Sequence, residues 1–315
     1  MNRPTIVDVF CGIGGISKGF EKAGFEVILG IDSNPHAIKI FKKQHPTAQT
    51  TVTDIRNITS DEIKQIIGNR KIDVLVGGPP CQGFSVAARH NRDNEKNALF
   101  YEFVRLAKEL KPSWVFIENV RGLASAKMPN GKPALDAIYE AFEGIYSLKH
   151  YFINAADFGV PQKRKRIIFV GNSMCISNNF ILPKRKWKPT GPIILKDEKV
   201  DKKYFYSEKL ISGFRRREKR NRERGLGFRW QFLKLNEPSY TIPARYWKDG
   251  ANALVKYSET KIRMLTEKEC AKIQGINPKL FKGGRKKMEY ILIGNAVPPK
   301  ISEFFATQIS KKLNL

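Results

Sequence analysis

Thr5-Ile6-Val7-Asp8-Val9-Phe10-Cys11-Gly12-Ile13-Gly14-Gly15 decides how the rest of the chain is read. Its first six residues are mostly β-branched or aromatic and read as a buried strand. The glycines that follow form a tight turn, and the next helix carries Ile16, Phe20 and Ala23 on one face before Gly24 ends it. Strand, glycine turn and helix are the opening unit of an α/β domain with a mostly parallel sheet. The alternation continues outward from there. Residues 27–31 read as a second strand and 35–43 as a helix. Thr51-Val52-Thr53 is a weaker third strand, Ile72-Asp73-Val74-Leu75-Val76 a fourth, Trp114-Val115-Phe116-Ile117 a fifth and 166–170 another buried strand. From about residue 172 the pattern stops, and prolines 183, 189 and 192 break any long element. Residues 265–273 read as helix again, and a last amphipathic helix spans 298–312. The expected division is an α/β domain over 1–180, a smaller basic inserted domain over 181–284, and a C-terminal segment, 285–315, that returns to the first domain.

Bulk properties narrow the partner. The 315 residues carry 57 Lys and Arg against 30 Asp and Glu, a formal charge of +27. Lysine and arginine on phosphates release condensed counterions, so such an excess favours a polyanion as partner. The excess is concentrated over 184–224, with 16 basic and 6 acidic residues, and is densest in Phe214-Arg215-Arg216-Arg217-Glu218-Lys219-Arg220-Asn221-Arg222-Glu223-Arg224. A mixed charge run also suits a solvated helix laced with salt bridges, but arginine so outnumbers glutamate here that a phosphate-facing role is favoured. No apolar run approaches the roughly 20 residues that span a bilayer, and no signal peptide is expected; a cytoplasmic protein follows. Cys11, Cys81, Cys175 and Cys270 and the four histidines have no metal-ligand spacing, so reduced thiols and no metal are expected.

In open α/β sheets ligands bind at the carboxyl ends of the strands. After the first strand comes the glycine turn, which lets a ligand approach the backbone at a helix N-terminus. After the second comes Asp32, suited to a pair of ribose hydroxyls, and after the third Asp54-Ile55. Gly77-Gly78-Pro79-Pro80-Cys81-Gln82-Gly83-Phe84-Ser85 follows the fourth and Glu118-Asn119-Val120 the fifth. Each is weak alone; five along one sheet edge build a nucleoside-like pocket beside a Cys/Glu pair. The turn lacks the GxGxxG spacing that cradles a pyrophosphate, which favours a nucleoside cofactor without phosphates, such as S-adenosylmethionine. A thiol with an ordinary pKa near 8.5 needs an electropositive setting to act as a nucleophile. Arg164 and Arg166, in Gln162-Lys163-Arg164-Lys165-Arg166, could supply it, and Glu118 could serve as a general acid toward a heterocycle nitrogen.

These segments, in this order, resemble the motifs of the cytosine-C5 DNA methyltransferases of prokaryotic restriction-modification systems. Glu269-Cys270-Ala271-Lys272-Ile273-Gln274-Gly275 and Gly294-Asn295-Ala296-Val297-Pro298-Pro299 resemble the family's last two motifs, and Thr241-Ile242 its short target-recognition signature. The resemblance implies a Rossmann-like S-adenosylmethionine-dependent methyltransferase sheet with an inserted target-recognition domain. It also implies that a cytosine is flipped out of double-stranded DNA, that Cys81 adds to C6, and that Glu118 holds or protonates N3. Arg166 would hold the cytosine O2 and Arg164 would position Glu118. The cofactor would lie against Phe10, Gly12, Ile13, Gly15, Asp32, Asp54, Ile55, Pro80, Leu99, Asn295 and Val297. DNA would meet Gln82, Ser85, Arg215, Arg216, Arg217 and Thr241, with 82–96 as a closing loop. The expected protein is a monomer; a cognate restriction endonuclease, if one exists, acts separately.

The chain departs from the family pattern at Lys96 and Lys272, where arginine is usual, and at Leu292, where glutamine is common. Lysine keeps the charge but loses the fork geometry. A tRNA cytosine methyltransferase on the same scaffold is the nearest alternative, and the Cys-Phe-Thr signature of that branch is absent. A non-catalytic DNA-binding homologue is the other; intact Cys81, Glu118 and cofactor turn argue against it.

Overall fold

A computed structural model describes residues 3–80, 95–128, 130–173, 176–184, 187–225, 230–248 and 250–313. The chain divides into two compact units, one of residues 1–154, 165–183 and 297–315, the other of 155–164 and 184–296. The break falls at 183/184, where the expected boundary was 180/181 and the sequence pattern stops at about 172. The return to the first unit comes at 297, later than the expected 285. The second unit also takes 155–164, because Gln162 and Arg164 bond to its side chains and carbonyls.

The first unit is an open α/β sheet in the order β3-β2-β1-β4-β5-β7-β6. Its strands are β1 (Thr5–Val9), β2 (Glu26–Asp32), β3 (Gln49–Val52), β4 (Val74–Gly77), β5 (Trp114–Val120), β6 (Ser147–Asn154) and β7 (Lys165–Asn172). The first five are parallel, and β7 runs antiparallel between β5 and β6. Parallel strands covered on both faces must be apolar nearly throughout, and β1, β4 and all of β5 but Val120 are buried. One face packs Val7, Val9, Leu75, Val115, Ile117 and Phe169 against Phe103, Leu106 and Phe142. These come from α4 (Glu95–Leu110) and α5 (Ala134–Phe142). On the other face Phe116 meets Phe20 and Phe305 at ring separations of 5.5 and 5.7 Å.

Three shorter crossovers complete the unit. Helix α1 (Gly15–Lys22) returns β1 to β2; α2 (Pro35–Gln44) leads from β2 to β3 with Asn34 capping it; α3 (Ser60–Ile67) follows β3 behind a Thr59/Glu62 capping box. The final helix, α9 (Pro299–Leu313), packs against α1. That contact is close: a Cβ on Gly15 would strike the Val297 carbonyl oxygen, and one on Gly19 the Ser302 hydroxyl and the Pro299 carbonyl.

The second unit has little regular structure. It contains α6 (Glu208–Glu223), a two-stranded pairing of β8 (Val255–Lys256) with β9 (Ile262–Arg263), α7 (Glu267–Ile273) and α8 (Lys287–Asn295). An ion pair between Arg263 and Glu269, both essentially inaccessible, joins β9 to α7. Thr266 caps α7 through a box with the same Glu269. No helix among the described residues is long and apolar enough to cross a membrane.

Candidate active site

The glycine turn bends at once after β1. Phe10, Gly12 and Gly14 have φ of 61°, 54° and 84°, the left-handed region in which glycine is favoured. The turn is pinned from the neighbouring strand: Cys11 N donates to Ile31 O at 3.0 Å and Gly12 N to Asp32 Oδ2 at 2.8 Å. The other oxygen of Asp32 accepts from Asn34 N, also at 2.8 Å. Burial raises the pKa of Asp32, with these amides working against it. From behind, Gln44 donates to the carbonyls of Ile13 and Gly14 at 3.0 and 2.9 Å, and a Cβ on Gly14 would run into the His45 ring. Nothing in the sequence marked Gln44 and His45, because they reach the turn only through the packing of α2.

Phe10, Ile31, Asp32, Ser33, Thr53, Asp54, Ile55, Pro80 and Leu99 line one cavity, open on one side. Six of them are residues singled out for the cofactor; Ile31, Ser33 and Thr53 were not. The walls are mainly apolar and two carboxylates are among the lining groups. Asp54 is itself gripped by Arg56, at 3.0 Å from Nε and 2.8 Å from Nη2, which lowers its pKa. Among the described residues the lining carries two carboxylates and no basic side chain, a set suited to the hydroxyls of a nucleoside. S-adenosylmethionine fits that description. Ile13 and Gly15 are buried in the turn and at the α1 contact, Val297 closes against Gly15, and Asn295 is exposed at the end of α8 in the second unit.

Beside the cavity, the ends of β4 and β5 are joined through side chains. Asn119 Nδ2 donates to Pro79 O at 3.1 Å, and its Oδ1 accepts from Val120 N at 2.8 Å. A Cβ on Gly78 would sit 3.7 Å from Glu118 Oε2. The buried Glu118 carboxylate thus lies over the backbone three residues before Cys81. Cys81, Gln82 and Ser85 fall outside the described residues. The antiparallel register pairs Val120 with Arg166, so Arg166 and Glu118 share a face as diagonal neighbours. Arg166 Nε lies 2.7 Å from Glu118 Oε1, with both side chains nearly buried.

Arg164 is placed differently. Buried at 2% exposure, it donates to Gly294 O at 3.0 Å and Ile242 O at 3.4 Å within the second unit. The guanidinium found against Glu118 is that of Arg166, where the resemblance had assigned this contact to Arg164. Gln162 donates to Gln274 Oε1 at 2.9 Å and accepts from Ile242 N at 3.1 Å, and Gln274 donates to Ile293 O at 2.8 Å. Thr241 Oγ1 donates to Lys163 O at 2.8 Å. Four motif segments far apart in sequence are therefore knitted together by buried hydrogen bonds.

Of the arginine run, Arg215 donates to Glu259 O and Oε2 at 2.7 and 2.8 Å, while Arg216 and Arg217 are exposed on α6. Ile211 is the buried residue of that helix. Among the described residues no group of three His, Cys, Asp or Glu could hold a metal ion.

The sheet order, with its antiparallel seventh strand, defines the class: a Rossmann-like, S-adenosylmethionine-dependent methyltransferase fold. Solved structures agree. The S. pombe Dnmt2 methyltransferase superposes with a TM-score of 0.77 at 17% identity over 99% of this chain and 100% of that one. The Entamoeba histolytica methyltransferase EhMeth does so with 0.77 at 19% identity, over 99% of each chain. A family model for C-5 cytosine-specific DNA methylases matches residues 4–311. Type II methyltransferase M1.HphI of Haemophilus parahaemolyticus is 32% identical over 331 residues, covering 98% of this chain and 87% of that protein. Type II methyltransferase M1.ScrFI of Lactococcus lactis subsp. cremoris is 32% identical over 310 residues, covering 94% and 76%. The chain belongs to the C-5 cytosine-specific DNA methylase family and is a DNA cytosine-5-methyltransferase.

Proposed function

We propose that this enzyme methylates one cytosine within a specific double-stranded DNA sequence, by flipping the base out and attacking it with Cys81. The observation that carries the reading is the joining of the β4 and β5 ends. Asn119 fixes the Pro79 carbonyl and Glu118 lies over Gly78, so the segment leading to Cys81 is held against a buried carboxylate. A cytosine ring is out of reach inside the stack, and extrusion costs a few kcal/mol. Once it is flipped, the Cys81 sulfur forms a bond to C6 while Glu118 holds or protonates N3, and electron density moves to C5. Arg166 fixes Glu118 and offers its remaining N–H groups to the base O2. S-adenosylmethionine, when bound, supplies the methyl group that C5 takes. Loss of the C5 proton then sends its electron pair into the ring and expels the thiolate, restoring Cys81.

Phe10, Asp32, Asp54, Ile55, Pro80 and Leu99 would hold the nucleoside part of the cofactor, with Gly12, Ile13 and Gly15 along the turn and Val297 against Gly15. The second unit would read the target, with Gln82, Ser85, Thr241 and the α6 arginines contacting DNA. The Type II relatives support a role in restriction-modification, and on this reading the enzyme works as a monomer in the cytoplasm of a prokaryotic cell.

The test is Cys81→Ser. It is expected to abolish methyl transfer, scored by bisulfite sequencing of plasmid DNA from expressing cells, and to retain duplex binding. Undiminished methylation by that variant would sink the mechanism, and preferential methylation of tRNA by the unaltered enzyme would move the substrate to RNA.

A further inference from the structure

Five consecutive backbone N–H groups in the second unit, of residues 282 to 286, all donate to side chains of the protein itself. Lys282 N and Gly283 N donate to the two carboxylate oxygens of Glu289, at 3.1 and 2.9 Å. Gly284 N and Arg285 N donate to the Tyr204 hydroxyl, at 3.0 and 3.1 Å, and Lys286 N to Glu267 Oε1, at 2.6 Å. Tyr204 donates in turn to Glu267 Oε2 at 2.6 Å, and both residues are buried. A loop tied at every amide over five residues is preorganised. It is also held in an unusual shape, with φ of 78°, 99° and 63° at Gly283, Gly284 and Arg285. Glycine takes that region freely and arginine does not, so an arginine kept there at a cost in strain points to use of its side chain.

Outward stand Lys282, Arg285, Lys286 and Lys287, all exposed. Among the described residues none of the four has a carboxylate partner, while Glu267 and Glu289 are engaged by the amides. Arg285 Nη1 donates to Lys203 O at 2.8 Å, which steers it along the surface, and the Lys287 ammonium sits 4.4 Å over the Trp247 ring.

We propose that the 282–287 loop is a preassembled contact for the phosphodiester backbone of the substrate duplex, one that binds charge and reads no bases. With every amide already bonded, the loop is no nest for a single phosphate. What it offers is a short run of cations on a fixed backbone, matched to the spaced charges of a polymer. Three of the four cations are lysines, point charges without a fork, and the fork of Arg285 is partly taken by the Lys203 carbonyl. The proposal rests on duplex DNA being the substrate.

The test combines Lys282→Gln, Arg285→Gln, Lys286→Gln and Lys287→Gln in the full chain. A control of equal charge carries Lys39→Gln, Lys43→Gln, Lys108→Gln and Lys311→Gln, on exposed positions of the first unit. Binding to duplexes with and without the target sequence is measured over about 50–200 mM salt. The loop variant is expected to lose roughly tenfold or more in affinity at low salt, alike on both duplexes, with its log–log salt slope reduced by about 3 to 4. The control should change the slope by less than about 1. Each single replacement should lower the slope by about 1, which keeps a readout if the combined variant fails to fold. An unchanged slope, an equal loss in the control, or a loss confined to the target duplex overturns the proposal. A wild type that binds no duplex at all removes the substrate reading with it, whereas salt-dependent wild-type binding beside an unaltered loop variant overturns the loop alone.

Discussion

Glu118 and Arg166 show how much of the site hangs on single side chains. The position of Glu118 at a strand end was legible in the sequence, since the motif and the strand before it fix it. The partner was not: whether Arg164 or Arg166 meets the carboxylate depends on the register of β7 on β5, a contact across 46 residues that no local pattern encodes. Asp8 is a second case. It lies fully buried, accepting from the Ser17 hydroxyl through one oxygen while the other has no hydrogen-bond partner among the described residues. In the sequence it was one polar letter in a strand. Burial pushes its pKa up to about 7, only partly offset by the bonds from Ser17. Because the folded value lies above the unfolded one of about 4, the folded chain holds a proton that the unfolded chain has lost over that interval. The group's stabilisation is full below about pH 4 and is lost as pH rises through about 7. Asp8→Asn cannot ionise, so thermal melts should show its stability gaining on wild type between pH 5 and 8; a gap constant with pH would count against the ionisation.

At the scale of elements, the parallel strands were readable because double-sided burial makes them continuously apolar. The same rule explains what was missed. Strand β6, Ser147–Asn154, is an edge strand paired only to β7, with exposed Ser147, Lys149 and Phe152, and its composition carries no buried-strand signal. Third-strand residues 51–53 were displaced by two, to Gln49–Val52, for a similar reason: none of the four is buried. Helix α7 is shorter than the expected 265–273 because Thr266 caps it. The packing of α1 on α9 was foreseen only as a returning helix, since glycine letters do not disclose what they face. Here they face backbone, which cannot swing aside. Gly19→Ala should therefore destabilise the protein by about 1–3 kcal/mol, measured by urea unfolding, with Gly24→Ala, whose Cβ would meet nothing, suffering only from its positive φ.

For the whole molecule, the net charge of +27 fits a polyanion partner, and α6 presents the densest part of it. The structure grades that run. Arg215 is already paired with Glu259, whereas Arg216 is exposed and makes no ion pair among the described residues. Arg216→Gln should lower the salt slope of duplex binding by about 1, Arg215→Gln by less, and fluorescence anisotropy over a salt series resolves the two; equal effects would mean that Glu259 gives way to phosphate. Which bases would be read was not legible, because on the proposed reading the task falls to a few side chains, without periodicity, in a unit with little regular structure. The α1–α9 contact has a further consequence, in protein synthesis. About 280 residues separate Lys22 from Pro299, so at about 5–20 residues per second a nascent chain carries α1 for roughly 15–55 s before its packing partner is made. Until then Gly15 and Gly19 lack the backbone that they face in the finished fold, and the glycine turn lacks its far wall. About 280 residues of synthesis thus separate the glycine turn from the backbone that closes against it.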